Sequence, residues 1–385
     1  MSSVKLGTLT HLPATGFTTR LPRELDSART LVLAFGSSDM VERPAPLHEL
    51  AAAFPLSCLL GCSTAGEIAG TQISDGTVSA AIAQFDTTDL RFASTPLPSP
   101  QMSYEAGRIL AIQLSVERHP SAVLVLSCGV GVNGSELIRG VNSITKGQVI
   151  VTGGLAGDGD RFVRTWVLDQ GNLRDKHVTA VALYDNGGHL RVGFGSQGGW
   201  DIFGPERRVT RSTSNILYEL DEKPALALYK RYLGDRATGL PATALLFPLA
   251  MRHGVGREHR LVRTVLSINE ADQSMVFAGD IPEGATVQLM RANFERLIDG
   301  AAGAAEQVRA VDAGGQPTLA VAISCVGRRL VLGERAEEEV EVVRQSLSDA
   351  TGLVGFYSYG EFSPTGGASC ELHNQTMTLT TFTEV

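Results

Sequence analysis

The chain has 385 residues, of which 43% are hydrophobic, 19% charged and 6% aromatic, and its net charge is −8. That length predicts two to three domains with cores of their own, and the negative balance argues against nucleic acid and anionic membranes as partners. Glycine is in surplus, 42 residues against 16 prolines. Disorder would raise both and dilute the apolar fraction, so the glycines belong where the backbone turns left-handed or passes close to a neighbour.

In chain order, the first strand signal is the apolar run Leu31–Gly36, followed by the helix-like stretch Pro46–Phe54. Cys58–Glu67, Val78–Phe85 and Leu90–Ser94 continue as strand, glycine-bearing turn, strand and strand. The order recurs: Ala122–Ser127, a helix over Ser135–Ile144, then Val149–Asp158. After an extra hairpin containing Trp166 come Val178–Tyr184 and Leu190–Phe194. Gly36 to Gly66 and Ser127 to Gly157 span the same 30 positions, and Ala-Gly-Glu at 65–67 matches Ala-Gly-Asp at 156–158. A more distant third copy runs from Leu319–Cys325 through a charged helix around Glu337–Leu347 to Gly355–Glu361 and a final strand over His373–Phe382.

Between the second and third copies, Ile216–Tyr232 reads as a helix interrupted by Pro224. Arg260–Ile268 and Ser274–Phe277 read as a hairpin turning through Asn269–Gln273, and Val287–Ala305 returns to helix. The natural cut is near Gly204-Pro205. The expected fold class is α/β, with two domains (1–205 and 206–385) of mixed sheets with helices, built from repeated β-α-β-β units.

The glycine–carboxylate turns are the foremost ligand-site candidates: Gly66 and Glu67, Gly157 and Asp158, and, in the third copy, Tyr357, Gly360 and Glu361. A glycine after a strand lets backbone N–H groups approach a ligand, and the neighbouring carboxylate holds an amine, an arginine or the turn itself. The competing explanation is a hairpin closed by a carboxylate that accepts backbone hydrogen bonds. His373, beside Asn374, is placed to orient the last of these turns. Gly129-Val-Gly-Val-Asn-Gly134 is a literal GxGxxG between strand and helix, with Asp158 where a ribose-binding acid would stand. The repeat, however, turns into a hairpin after Asp158 where a dinucleotide fold needs a crossover helix, so a turn capped by Ser135 is the expectation. Ser143-Ile-Thr-Lys146 matches SxxK without its partner motifs, and no HExxH or triad order is present. No enzyme is expected.

Met1–Arg20 lacks the basic, apolar, small-residue order of a signal peptide, and the longest apolar stretch, Ala242–Met251, is about half a membrane span. Five cysteines mostly embedded in apolar runs read as reduced, buried thiols, and Cys58 and Cys62 have no second Cys/His pair nearby for zinc. A cytoplasmic protein is expected. His253 and His259 sit in Met-Arg-His-Gly-Val-Gly-Arg-Glu-His-Arg beside an apolar run. There an imidazole would ligate a haem iron while Arg252 or Arg257 pairs with a propionate; the alternative is surface histidines on a polar loop.

Gly61-Cys-Ser-Thr-Ala-Gly-Glu-Ile68, with the strand before it, resembles the N-terminal FIST domain. Ser324-Cys-Val-Gly-Arg328, Gly355–Glu361 and Leu372-His-Asn-Gln-Thr376 resemble the C-terminal FIST domain. The resemblance implies an intracellular ligand sensor working with two-component signalling proteins. A stand-alone bacterial subset that this chain is similar to binds haem, senses nitric oxide and acts on a sensor histidine kinase. Two readings follow: a haem-based nitric oxide sensor using His253 or His259 as metal ligand, or a haem-free sensor whose glycine–carboxylate turns take an amino-acid-like molecule. An enzyme is the third.

Overall fold

A computed structural model describes residues 3–252, 260–309, 315–365 and 369–385. Its centre is three sheets built to one plan. In the first sheet Cys58–Thr64 lies parallel to Thr30–Ser37, which is followed outward by Val78–Gln84 and Lys5–Leu12. The second repeats this with Ile150–Leu155, Ala122–Ser127, His177–Tyr184 and Asp89–Pro96. The third uses Thr351–Ser358, Thr318–Cys325, Met377–Glu384 and Leu190–Gln197. The threefold repeat read in the sequence is therefore present in the fold.

The central strands are apolar at nearly every position because both faces are covered. Leu31, Leu33 and Phe35 of the first sheet, Leu124 and Leu126 of the second and Val321 and Ile323 of the third meet in one shared core. Phe35 and Phe356 touch across it with ring centroids 4.8 Å apart. The alternate residues face helices. Val32 and Ala34 pack under α1 (Ala45–Ala53) through Leu47 and Leu50. Val123 and Val125 lie under α2 (Ser103–Ser115) and α3 (Gly134–Thr145).

Each sheet is completed by a hairpin from a different unit. Glu67–Ala69 and Gln72–Ser74 leave the first unit and pair with Thr351–Ser358 of the third. Val167–Asp169 and Asn172–Arg174 leave the second for the first, meeting Cys62. Gly360–Pro364 and Cys370–His373 leave the third for the second. A ring of backbone bonds closes the exchange: Ala65 N–H to Tyr357 O (2.8 Å), Tyr359 N–H to Leu155 O (3.2 Å) and Gly157 N–H to Ser63 O (2.9 Å). This ring makes Gly157, and not Ala156, the counterpart of Ala65 and Tyr359. Asp158 therefore stands one position ahead of Glu67 and Glu361, a slip that the Ala-Gly-Glu/Ala-Gly-Asp match conceals.

Three more expectations are corrected. Leu90–Ser94 and Leu190–Phe194 do not close the copies that precede them; they form the outer strands of the next sheets. Ile216–Leu220 is a strand, and the helix α4 begins only at Ala225 and runs to Leu233. Two register shifts against Arg207–Thr213 let both Leu217 and Leu220 face inward, which imitates a helical spacing. Val287 to Arg291 is also strand (Thr286–Arg291), with Val287 and Leu289 buried in alternation, and α5 (Phe294–Arg309) starts after it. The expected hairpin through Asn269–Gln273 is present.

The described residues between 201 and 291 form a separate sheet around Leu217, Leu226, Tyr229, Met275 and Phe277. This segment is an insert within the third unit: it leaves after Leu190–Gln197 and returns at α5. The boundary at 205/206 consequently does not separate sheets, since Leu190–Gln197 pairs along its length with Met377–Glu384. α6 (Val326–Leu332) and α7 (Ala336–Ser346) complete the third unit.

Candidate functional site

The glycine–carboxylate turns lie at the exchange points, where each chain segment crosses to its neighbour's sheet. Glu67 is buried and accepts hydrogen bonds from the Thr64 hydroxyl and from Thr77 N–H (3.0 Å) and Oγ1 (2.9 Å). Glu361 repeats the pattern with Ser358 Oγ (2.6 Å) and Thr376 N–H (3.2 Å) and Oγ1 (2.9 Å). Burial outweighs these bonds and pushes Glu67 up to about 7 and Glu361 up to about 8. Both carboxylates thus close their own hairpins.

Asp158 does something different. Its carboxylate accepts the N–H groups of Phe162 (2.9 Å), Val163 (2.9 Å) and Arg164 (2.8 Å), and the Tyr359 hydroxyl. The loop so held presents Phe162 with φ +55°, a left-handed conformation rare for a bulky residue. The Phe162 ring stacks on Tyr359, with centroids 4.3 Å apart and planes inclined by 16°.

Phe162 lines a cleft of about 800 Å³ between the three-unit core and the insert. The core side is the GxGxxG loop from Gly129 to Asn133 with Glu136; the insert side is Thr213–Ile216 and Leu266. The loop is braced by Thr165 Oγ1, which accepts N–H from Gly129 (3.0 Å) and Val130 (3.3 Å). Asn133 and not Ser135 caps α3, accepting Glu136 N–H at 3.1 Å. The Ser135 hydroxyl instead accepts Asp280 N–H from the insert at 3.3 Å, and Asn133 Nδ2 donates to Asp280 Oδ1 at 2.9 Å. After Asp158 the chain forms the hairpin of Val167–Asp169 and Asn172–Arg174, where a dinucleotide-binding fold has a crossover helix.

The remaining candidates are dispersed. Glu67 and Asp158 come together at a polar notch of about 360 Å³ with Asp39, Asp160 and Arg161. Gly66 is packed by the Arg329 guanidinium, and Gly157 by Ala65. Gly360, His373 and Asn374 sit at the third hairpin: Leu372 packs on Gly360, and His373 Nε2 lies 3.1 Å from Ser363 O. Asn374 is buried, and its side-chain amide has no hydrogen-bond partner among the described residues. Arg252 is ion-paired with Glu206. His253, Arg257 and His259 lie outside the described residues.

Tyr357 belongs to a buried knot rather than to a cleft. Its hydroxyl (3.1 Å) and Ser324 Oγ (2.7 Å) both donate to Glu339 Oε1, while Arg328 Nε donates to Glu339 Oε2 at 2.7 Å. Arg328 also donates to Gly198 O and Leu297 O, each at 2.6 Å, so it ties together the two ends of the insert. Sequence reasoning missed Phe162, Tyr359 and Glu136 as site residues. The one signal for them was Asn133 three positions before Glu136, the spacing of a helix cap.

Among the described residues no group of three or more His, Cys, Asp or Glu side chains is arranged to hold a metal ion, and no helix is long and apolar enough to cross a membrane. All five cysteines are free.

Residues 30–223 match the FIST N domain family and residues 225–364 the FIST C domain family. No curated protein is similar to the chain at a significant level. Among solved structures, a crystal structure of chorismatase at 1.08 Å resolution is similar with 10% identity and a TM-score of 0.39, covering 100% of this chain and 99% of that one. At that score the likeness says nothing of activity.

Proposed function

The chain belongs to the FIST family, whose domains are associated with small-ligand sensing in signal transduction, and on that footing we propose that its ligand seats in the cleft over Phe162 and that a separate signalling protein reads the occupied state. The observation that carries this reading is Phe162 itself. A bulky side chain in the left-handed region costs about 1–3 kcal/mol and persists only where its surroundings enforce it. Here Asp158 and Tyr359 enforce it, and the result is an aromatic face at the wall of the largest of the clefts described above. A cleft between two bodies also suits a sensor, because a ligand shifts an equilibrium only through different affinity for two arrangements. The test is a thermal-shift screen of small metabolites against wild type and Phe162→Ala. Compounds that stabilise wild type are expected to lose their effect in the variant; equal stabilisation of both would rule the cleft out.

In a haem-based form of this reading, with nitric oxide as signal and a sensor histidine kinase as partner, His253 or His259 would hold the iron. Among the described residues, the clefts at Phe162 and Glu67 are lined by no histidine, cysteine, methionine or tyrosine, so nothing there fits an iron ligand. Protein made with haem supplied would show a Soret band that survives desalting and is lost in His253→Ala or His259→Ala. A colourless product would dismiss this form.

A further inference from the structure

We propose that the cleft takes an organic ammonium, an amine carrying an apolar group, with its charge at Glu136 and its apolar part over Phe162. This rests on the cleft reading above and names the ligand's class. Among the described residues that line the cleft, Glu136 is the one ionisable group; they include no lysine, arginine or histidine. An anionic ligand would enter a partly desolvated space with no counter-charge and one like charge, which is unfavourable at short range.

Two features of Glu136 bear on its availability. Its existing cation is Arg139, one turn along α3, whose side chain is 66% exposed. With Glu136 itself 23% exposed, the cation of the pair lies on the solvent side, where water screens it and an incoming ammonium can take its place. Burial, together with the negative charge of Asp280 from the insert, raises the Glu136 pKa despite Arg139. Asp280, bonded to Asn133 Nδ2 and Ser135 at the start of the same helix, adds negative charge on the insert side, which a positive charge at Glu136 offsets. The amino end of α3 would by itself favour an anion, but Glu136 in its first turn and Asp280 at its cap already meet that partial charge.

The rest of the lining matches the other half of such a ligand. Val130, Val132, Ile216 and Leu266 offer apolar surface, and Phe162 an aromatic ring that attracts cations. A ligand in the cleft touches Glu136 and Phe162 of the core and Ile216 and Leu266 of the insert, which links occupancy to the arrangement of the two bodies.

The experiment uses three probes of one size and three charges: 2-phenylethylammonium, 2-phenylethanol and phenylacetate, titrated calorimetrically into wild type, Glu136→Gln and Phe162→Ala. The ammonium is expected to bind wild type at least tenfold more tightly than the alcohol, more weakly as salt rises. Glu136→Gln should erase most of that preference while leaving the alcohol's affinity unchanged. Phenylacetate binding as tightly as the ammonium, or ammonium affinity unchanged in Glu136→Gln, would overturn the proposal. If phenylacetate or the alcohol is the tighter ligand and is lost in Phe162→Ala, the cleft reading stands and the charge assignment falls. Binding of all three that ignores Phe162→Ala overturns both.

Discussion

Arg328 and Glu339 are both fully buried, and the pair offers a quantitative check on how the insert is anchored. Arg328 donates to Glu339 and to the carbonyls of Gly198 and Leu297, while Ser324 and Tyr357 supply the other bonds to Glu339. Arg328→Met keeps the volume roughly constant but leaves the Glu339 carboxylate buried without its counter-charge, and strands the two carbonyls. Breaking one side of such a pair costs about 3–5 kcal/mol. Glu339→Leu strands the guanidinium and should cost a similar amount. The double variant has no orphan charge, so the cycle should show a coupling of about 2–3 kcal/mol, with the double variant more stable than the sum of the two losses implies. Urea denaturation followed by circular dichroism measures each term. Hydrogen exchange at residues 198–200 and 296–298 should rise first, because Arg328 holds those ends. An Arg328→Met loss below about 1 kcal/mol, or a strictly additive cycle, would refute this account of the knot.

Other consequences are local. A Cβ on Gly355 would lie 1.9 Å from Ala322 O, and one on Gly61 2.1 Å from Ala34 O, so Thr318–Cys325 and Thr30–Ser37 leave room only for glycine at those positions of their parallel neighbours. Gly355→Ala should cost about 3 kcal/mol, the upper end of ordinary overpacking; a loss below about 1 kcal/mol in urea would mean that the strands part freely. Asp158→Ala removes the acceptor for three N–H groups, and amide exchange at Phe162, Val163 and Arg164 should accelerate at least tenfold. Unchanged exchange would show that the loop is held elsewhere. Glu361, pushed up to about 8, keeps its proton in the folded chain while the unfolded chain loses it near 4.5. That contribution to stability is complete below pH 4.5 and is lost as pH rises to about 8. Glu361→Gln should flatten the slope, by a difference on the order of 4 kcal/mol between pH 4.5 and 8 at about 1.4 kcal/mol per pH unit; parallel curves for the two proteins would contradict it.

Much of the core was legible in the sequence. Thr30–Ser37, Ala122–Ser127 and Thr318–Cys325 are apolar at nearly every position because both faces are covered, and α1, α3 and α7 follow such strands with helical spacing. The threefold repeat was equally readable, as were Glu67 and Glu361, which solve the same local problem with a glycine and an acid; Asp158 matched them in sequence but holds the loop at 162–164 instead. Where two periodicities overlap, reading failed: the bulged strand Ile216–Leu220 carries a helix-like spacing, and Thr286–Arg291 runs into α5 with only two residues between.

What the tertiary structure alone decided is the exchange of hairpins and the site that it creates. Strands of three residues such as Glu67–Ala69 carry too little pattern to specify a partner, and the edge they meet exists only after three units have packed around one core. The same holds for Phe162 and Tyr359, which are 197 positions apart and unremarkable as isolated residues. Asp158 is informative as a turn former, yet its bond to Tyr359 and the cleft beside it depend on the third unit's chain crossing the second. Local chemistry along the sequence determines strands, turns and repeats; long-range closure of the ring determines which aromatic faces which acid.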